Sequence, residues 1–367
     1  MYYYFLGNTP PLSQLELESV IHSEFEAVTS HIIRGIEDEA LIPRISTVGG
    51  LRKVAKTIKT GLKNDVITLL EESLKDVPNK NVAITDYANV SLDKSDLHTL
   101  KSNVTRPIRF VSMDTGEHEL VMLSHQHVAE LNILPDPKDE ASVVIALTNW
   151  IFDAEDWIKR DRNKPYRDIK RGMLPPKVAR IMANLALRGD NTKSLYDPFC
   201  GTGTVLTEAA LLGSNTLYGS DTNPDAITGS VANLDWLCDI YRLEGTKYQI
   251  QLADATHPPY ASVDCIATEP YMGPLLDERN PLPLDKIKDI ARGLDKLYRG
   301  AFKSWHNILP VGGRVVMTIP SFAVYGRVIP TISVDTLVSL GYNYISSVAY
   351  GKPGATVIRN ITILEKK

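Results

Sequence analysis

The chain has little cysteine and no long apolar run. Its 367 residues include three cysteines, Cys200, Cys238 and Cys265, with neither metal-ligand spacing nor an even number for pairing. This indicates a reducing, cytoplasmic setting, and no signal peptide is recognisable at the start. The most apolar window, residues 142–152, is about half as long as a membrane helix must be, so we expect no membrane association. That window fits either a strand or a buried helix.

Strong net charge and metal-ligand clusters are also lacking. A formal net charge of −4 does not indicate a nucleic-acid binder, so any RNA contact must come from local basic patches. His125 and His127 form the close histidine pair, and no Cys, Asp or Glu cluster nearby completes a site. We therefore predict no bound metal. A composition of 43% hydrophobic and 23% charged residues suits two or three domains with real cores.

Residues 194–213 carry the most informative pattern, SLYDPFCGTGTVLTEAALLG. It predicts a short strand, a glycine turn at Gly201-Thr202-Gly203 and a helix. Such a turn places backbone N–H groups at the carboxyl end of a sheet, where doubly wound folds hold nucleotides. Asp221 ends the next predicted strand, 20 residues after Gly201, and Asp254 ends the third.

The DPFCGTGTxxxEAA string resembles motif I of Rossmann-like methyltransferases that use S-adenosylmethionine (SAM). NAD is the weaker choice, because the third glycine of GxGxxG is absent. In related enzymes a proline-containing turn before the preceding helix covers the methionine of SAM. The resemblance implies a SAM site formed by Asp197, Pro198, Phe199, Gly201, Gly203, Asp221, Asp254, Met173, Leu174 and Pro175.

The fourth predicted strand ends in Thr268-Glu269-Pro270-Tyr271. Enzymes that methylate exocyclic amines of bases place a (D/N/S)-P-P-(Y/F) tetrad here. A side-chain oxygen and a backbone carbonyl accept the two amine hydrogens and direct the lone pair at the methyl group, while the aromatic ring stacks on the flipped base. This chain has one proline, so either Thr268 or Glu269 takes the place of the acid. We favour Glu269, because a carboxylate polarises an N–H more strongly than a hydroxyl does.

Two further stretches are similar to the archaeal and eukaryotic tRNA guanosine-10 N2-methyltransferases. These are the GGLRKVA string at residues 49–55 and the segment RDRNKPYRDIKRGMLPPKVARIMANLA at residues 160–186. The resemblance implies an α/β protein in which a small α+β domain and a tRNA-binding THUMP-like domain precede a seven-stranded Rossmann-like methyltransferase domain. It allows for a small activator subunit and otherwise predicts a monomer. The expected parts are an N-terminal domain at residues 1–45, a THUMP-like domain at 46–152, a basic linker at 153–172 and the methyltransferase domain at 173–367.

Two basic stretches are candidates for binding tRNA. The denser one surrounds the predicted linker, and the other is a predicted basic amphipathic helix within residues 47–59. Phosphate contacts need exposed Arg and Lys side chains, and the alternative is a charged linker or helix face that only meets solvent. The predicted RNA-binding residues are Arg160, Arg162, Lys164, Arg167, Lys170, Lys53 and Lys56.

The sequence thus predicts a SAM-dependent methyltransferase that acts on the N2 amine of a tRNA guanosine, with position 10 implied by the resemblance. One alternative is a DNA adenine-N6 methyltransferase, which shares motif I and a related tetrad. Another is a tRNA-binding protein with an inactive methyltransferase domain, because one proline is missing. The presence of both Asp221 and Asp254 argues against that alternative.

Overall fold

A computed structural model describes residues 1–35, 42–111, 123, 127–168, 173–276, 282–352 and 354–367. The chain forms two compact units. The first comprises Met1–Ser46 and Gly50–Trp157, and the second comprises Thr47–Gly49 and Ile158–Lys367. Lys170 and His125 lie outside the described residues. No helix in the described ranges is long and apolar enough to cross a membrane.

The first unit is built on a mixed eight-stranded sheet with the strand order β2-β3-β1-β4-β8-β7-β5-β6. Its strands are β1 Tyr2–Leu6, β2 Glu26–Thr29, β3 Ile32–Gly35, β4 Leu51–Leu62, β5 Asn81–Asp86, β6 Arg109–Phe110, β7 Ala129–Asp136 and β8 Asp139–Ile151. Its helices are α1 Pro10–Ile21, α2 Ile42–Ile45, α3 Val66–Asp76, α4 Lys94–Asn103 and the start of α5 Ala154–Arg162. Strand β1 pairs with β3 and β4, so the stretches expected to form two domains share one sheet.

The predicted helix within residues 47–59 is wrong, because most of this stretch is strand β4. The strand is antiparallel to β1 on one side and to β8 on the other. Its β-branched residues suit this central position, and pairing on both sides outweighs the helix-like spacing of its apolar residues. Residues 142–152, which fitted strand or helix, lie almost entirely in β8.

The second unit contains a sheet with the order β11-β10-β9-β12-β13-β16-β15, and β14 pairs with β13. Strands β9 to β13 are mutually parallel where they pair, and β16 is antiparallel to β13 and β15. The strands are β9 Leu195–Asp197, β10 Thr216–Asp221, β11 Lys247–Leu252, β12 Cys265–Thr268, β13 Arg314–Val324, β14 Arg327–Pro330, β15 Tyr342–Tyr350 and β16 Val357–Lys366. The helices are α6 Pro176–Leu187, α7 Thr204–Leu211, α8 Pro224–Tyr241, α9 Leu284–Ile308 and α10 Val334–Ser339. This arrangement confirms the predicted Rossmann-like α/β fold with an antiparallel strand near its edge.

The strands of the second unit that carry the motifs are buried in an apolar core. All four residues of β12 are buried, as are all three of β9. Helix α9 covers the sheet with one apolar face that includes Tyr298, Phe302 and Trp305, spaced three and four residues apart. Because β9, β10 and β12 are parallel neighbours, their carboxyl ends meet at one edge.

Candidate active site

A cavity of about 880 Å³ lies at the carboxyl ends of these parallel strands. Its size falls in the range of small-molecule and cofactor sites. Eight of the residues predicted to bind a cofactor line it: Met173, Leu174, Asp197, Pro198, Phe199, Gly201, Asp221 and Asp254. Glu269, Pro270 and Tyr271 also line it, so the glycine loop and the tetrad share one cavity.

The glycine loop turns directly from β9 into α7. Gly201 and Gly203 have φ angles of 50° and 75°, in the left-handed region that favours glycine. A Cβ atom at Gly203 would lie 2.9 Å from the Ser230 Cβ on α8. Gly203 is not among the cavity-lining residues, and its position is explained by this close helix contact.

Two carboxylates are held by backbone amides beside the loop. The N–H of Gly201 donates to Asp221 Oδ2 at 3.1 Å, and the N–H of Asn223 donates to Asp221 Oδ1 at 2.9 Å. Asp254 Oδ1 accepts from the hydroxyl and the N–H of Thr256, at 2.6 and 2.7 Å. These Thr256 bonds hold the pKa of Asp254 below its ordinary value. Both aspartates therefore reach the cavity in fixed orientations.

Thr268 does not line the cavity. It is fully buried, and its hydroxyl donates to Asp197 Oδ1 at 2.6 Å. Asp197 is itself buried and also accepts from the N–H of Phe199 at 3.2 Å. Burial raises the pKa of Asp197 to about 7, although the hydrogen bond from Thr268 opposes this shift. The Thr268 hydroxyl is thus engaged inside the domain.

Glu269, the next residue, faces the cavity. Its Oε1 lies 3.4 Å from Nε of Arg359 on β16, and its side chain is 19% exposed. Burial raises the pKa of Glu269, and the charge of Arg359 opposes the increase. Arg359 also lines the cavity. This arginine could not be predicted from the sequence, because it lies 90 residues from Glu269 on a strand without a motif.

The rest of the tetrad is anchored from α9. The Tyr298 hydroxyl donates to the backbone carbonyl of Tyr271 at 2.7 Å. The Tyr271 side chain remains 57% exposed, so its ring is available at the cavity wall. Gly273 has a φ angle of 97°, and a Cβ atom there would lie 3.1 Å from Ile290. The turn after Tyr271 therefore requires glycine.

The predicted cover over the cavity is partly present. Met173 and Leu174 line the cavity, whereas Pro175 is exposed before α6 and is not among the lining residues. Tyr166 also lines the cavity, and Asn233 on α8 fixes its backbone through bonds to the Tyr166 N–H at 2.8 Å and carbonyl at 3.0 Å. The Tyr166 ring lies directly over Gly229, where a Cβ atom would clash.

Part of the predicted RNA-binding cluster is buried inside the second unit. Arg160 Nε donates to Glu208 Oε1 at 2.7 Å, and Arg180 Nε donates to Glu208 Oε2 at 2.8 Å. Glu208 lies on α7 in the EAA part of motif I. Lys164 Nζ donates to the Thr204 hydroxyl at 3.0 Å, and burial lowers the pKa of Lys164. Arg160 and Lys164 therefore stabilise the start of the methyltransferase domain.

The remaining predicted cations differ in exposure. Arg162 and Arg167 are exposed. Lys53 is buried and lies 2.6 Å from Glu130 in the first unit, while Lys56 is half-buried, 5.9 Å from the ring centre of Tyr2. In the described part of the chain, no group of three or more His, Cys, Asp or Glu side chains is arranged to hold a metal ion.

The fold and the cavity together define a Rossmann-like methyltransferase domain. Residues 164–323 match the family model described as the RMKL-like methyltransferase domain. The chain is 34% identical over 168 residues to tRNA (guanine(10)-N2)-dimethyltransferase of Pyrococcus abyssi, covering 44% of this chain and 43% of that enzyme. It is 30% identical over 234 residues to the enzyme of that name from Methanocaldococcus jannaschii, covering 58% of this chain and 64% of that enzyme.

These matches confirm the predicted resemblance to the tRNA guanosine-10 N2-methyltransferase family. The aligned parts span less than two thirds of both curated relatives. Among solved structures, TrmN from Thermus thermophilus superposes over 100% of both chains, with a TM-score of 0.54 and 15% identity. At that identity the superposition supports the fold.

Proposed function

We propose that this protein is a SAM-dependent methyltransferase that modifies the exocyclic N2 amine of a guanosine in tRNA, at position 10. The observation that carries the proposal is the opposite orientation of two adjacent side chains. Glu269 faces the cavity, whereas the Thr268 hydroxyl is bonded to buried Asp197. This geometry favours the register in which Glu269 is the hydrogen-bond acceptor for the amine.

The cavity suits SAM. When bound, SAM supplies an activated methyl group on a sulfonium. Asp221, at the end of β10, would meet the ribose hydroxyls, and Asp254, beyond β11, would meet the adenine amine. The loop from Asp197 to Gly201 would lie along the methionine end, beneath Met173 and Leu174. Because Gly203 has no side chain, the loop can lie close against α8.

The protein's own residues would make the amine a better nucleophile. An aromatic amine is weak because its lone pair is delocalised into the ring. Glu269 and a backbone carbonyl of the turn would accept the amine hydrogens and stabilise the positive charge that develops there. Tyr271 would stack on the base, and Tyr298 would hold the backbone of Tyr271 in place.

The tRNA substrate is supported by the names of the curated relatives, which are tRNA (guanine(10)-N2)-dimethyltransferases. Arg162 and Arg167 are retained as predicted phosphate contacts, together with Lys56. Arg160, Lys164 and Lys53 are not retained, because they are buried and have partners within the fold. The THUMP-like nature of residues 46–152, the activator subunit, the monomeric state and the cytoplasmic location remain predictions.

Nucleoside analysis tests the proposal. The full chain is incubated with methyl-labelled SAM and either an unmodified tRNA, the same tRNA with adenosine at position 10, or duplex DNA. We expect N2-methylguanosine or N2,N2-dimethylguanosine in the first tRNA and none in the second. Label in N6-methyladenine of DNA would support the adenine alternative, and absence of SAM binding by calorimetry would support an inactive domain.

A further inference from the structure

The strongest additional feature is the ion pair between Glu269 and Arg359. Glu269 directly follows β12 and Arg359 lies on β16, and β13 lies between these two strands. Met317 of β13 is opposite Thr268, and Pro320 is opposite Arg359. The Arg359 side chain therefore spans the intervening strand to reach Glu269, with 3.4 Å between Nε and Oε1.

The charges around Glu269 explain why this contact matters. Buried Asp197 from β9, Tyr298 from α9 and Tyr350 from β15 interact electrostatically with Glu269. An ionised Asp197 would repel the Glu269 carboxylate, and the neutral phenols do not compensate for its charge. Arg359 supplies positive charge from the cavity wall.

We propose that Arg359 is a positioning residue that keeps Glu269 ionised and oriented to accept a hydrogen of the substrate amine. This inference rests on the proposed function. Arg359 contacts Oε1, so Oε2 is the oxygen that would meet the amine. Arg359 acts through Glu269 and needs no contact with the reacting atoms.

The proposal predicts a specific pH dependence. Burial raises the pKa of Glu269 and Arg359 lowers it, so removal of the guanidinium raises this pKa further. The ionised form is then lost at a higher pH than in the wild type. Activity should fall most under mildly acidic conditions and recover as the pH rises, because deprotonation restores the acceptor.

Three variants separate this role from simpler explanations. Arg359→Met removes the charge, and Arg359→Lys retains it. Arg188→Met is the matched control, because Arg188 is 43% exposed, similar to the 41% of Arg359, and also pairs with a glutamate, Glu365, at 3.8 Å. Arg188 does not line the cavity.

The first measurement is single-turnover methyl transfer to unmodified tRNA from pH 6 to pH 9. For Arg359→Met we expect a loss of about tenfold or more at pH 6.5 and less than about threefold at pH 9. Arg359→Lys should preserve more activity, and Arg188→Met should match the wild type. A higher KM for tRNA, together with a methyl-transfer rate that depends on pH as in the wild type, would indicate that Arg359 contacts RNA. This result would overturn the proposal.

The second measurement does not depend on turnover. The Glu269 carboxyl is titrated by carbon-13 NMR in glutamate-labelled protein, and its signal is assigned by its loss in Glu269→Gln. Its pKa should rise in Arg359→Met and stay unchanged in Arg188→Met. An unchanged pKa in folded Arg359→Met, or a rise in Arg359→Lys equal to that in Arg359→Met, would overturn the proposal. If the pKa rises as expected but wild-type protein does not methylate tRNA, the proposed function fails and the positioning role fails with it, while the electrostatic pairing stands.

Discussion

The two units contain a fully buried glutamate and a half-buried one in different environments. In the first unit, Glu130 on β7 has no exposed surface and is saturated by Lys53 Nζ and the hydroxyls of Thr85 and Thr148, each at 2.6 Å. In the second, Glu269 has one ion-pair contact at 3.4 Å and faces a cavity. Burial acts to raise the pKa of Glu130, but its partners reverse this and lower it, whereas the pKa of Glu269 is raised.

This difference separates a structural carboxylate from one that can act on a substrate. A carboxylate accepts several hydrogen bonds, and Glu130 has its oxygens engaged by the surrounding sheet. Glu269 has acceptor capacity directed at the cavity. Glu208 belongs with Glu130, because Arg160 and Arg180 bind both of its oxygens. Satisfaction by partners therefore separates Glu130 and Glu208 from Glu269, which is also the most exposed of the three.

The largest expected effect is on stability, from Glu130→Gln. This change leaves the Lys53 ammonium buried without its counter-charge and should cost roughly 3–5 kcal/mol in the free energy of unfolding of the first unit. Hydrogen exchange of β4, β7 and β8 measures that free energy. Glu72→Gln is the control, because Glu72 forms an exposed pair with Lys59 on the same β4 strand and should cost less than about 1 kcal/mol. Equal losses in the two variants would show that the partners of Glu130 contribute no more to stability than an exposed ion pair does.

The next effect is on cofactor binding, from Asp221→Ala. Losing a charge-assisted acceptor should weaken SAM binding by roughly tenfold to a hundredfold, because such hydrogen bonds contribute about 1.5–3 kcal/mol. Calorimetric titration gives the dissociation constant. Asp225→Ala, at an exposed position four residues along on α8, should leave the affinity unchanged. If Asp221→Ala binds SAM with wild-type affinity, Asp221 does not contact the cofactor.

The smallest effect concerns the exposed cations near the end of α5. Reversing Arg162 and Arg167 together should weaken tRNA binding and reduce its salt slope by about 1.5, as expected for two lost phosphate contacts. The matched control reverses Arg292 and Lys296 on α9, which changes the net charge by the same amount. If both double variants weaken binding equally, net charge rather than a local contact explains the loss.

Most of the residues predicted to bind the cofactor line one cavity, because the motifs that carry them are local. Strand ends carry Asp197 and Asp221, and glycine spacing marks the loop, so a doubly wound sheet brings them together. The position of the tetrad followed for the same reason. Its register was favoured on chemical grounds alone, since the sequence cannot show that the Thr268 hydroxyl is directed toward Asp197.

Long-range contacts account for the features that could not be predicted from the sequence. Arg160 and Lys164 lie in a dense run of charge that resembles a solvated or RNA-binding surface, yet their partners Glu208 and Thr204 are 48 and 40 residues away. Strand β4 was predicted as a helix because its apolar spacing is ambiguous without its neighbours. Arg359 reaches Glu269 only through the pairing of β13 with β16.

Single-turnover methyl transfer by Glu269→Gln and Thr268→Val is the most direct test of the account. Each variant is mixed with saturating SAM and unmodified tRNA, and the labelled guanosine is followed over time. Glu269→Gln should retain SAM and tRNA affinity but lose about a hundredfold in rate, the scale of one positioned catalytic contact. Thr268→Val should lose no more than about fivefold, because it disturbs only a supporting hydrogen bond. An inactive Thr268→Val together with an active Glu269→Gln would contradict the proposed register, and full activity in both would remove this tetrad from catalysis.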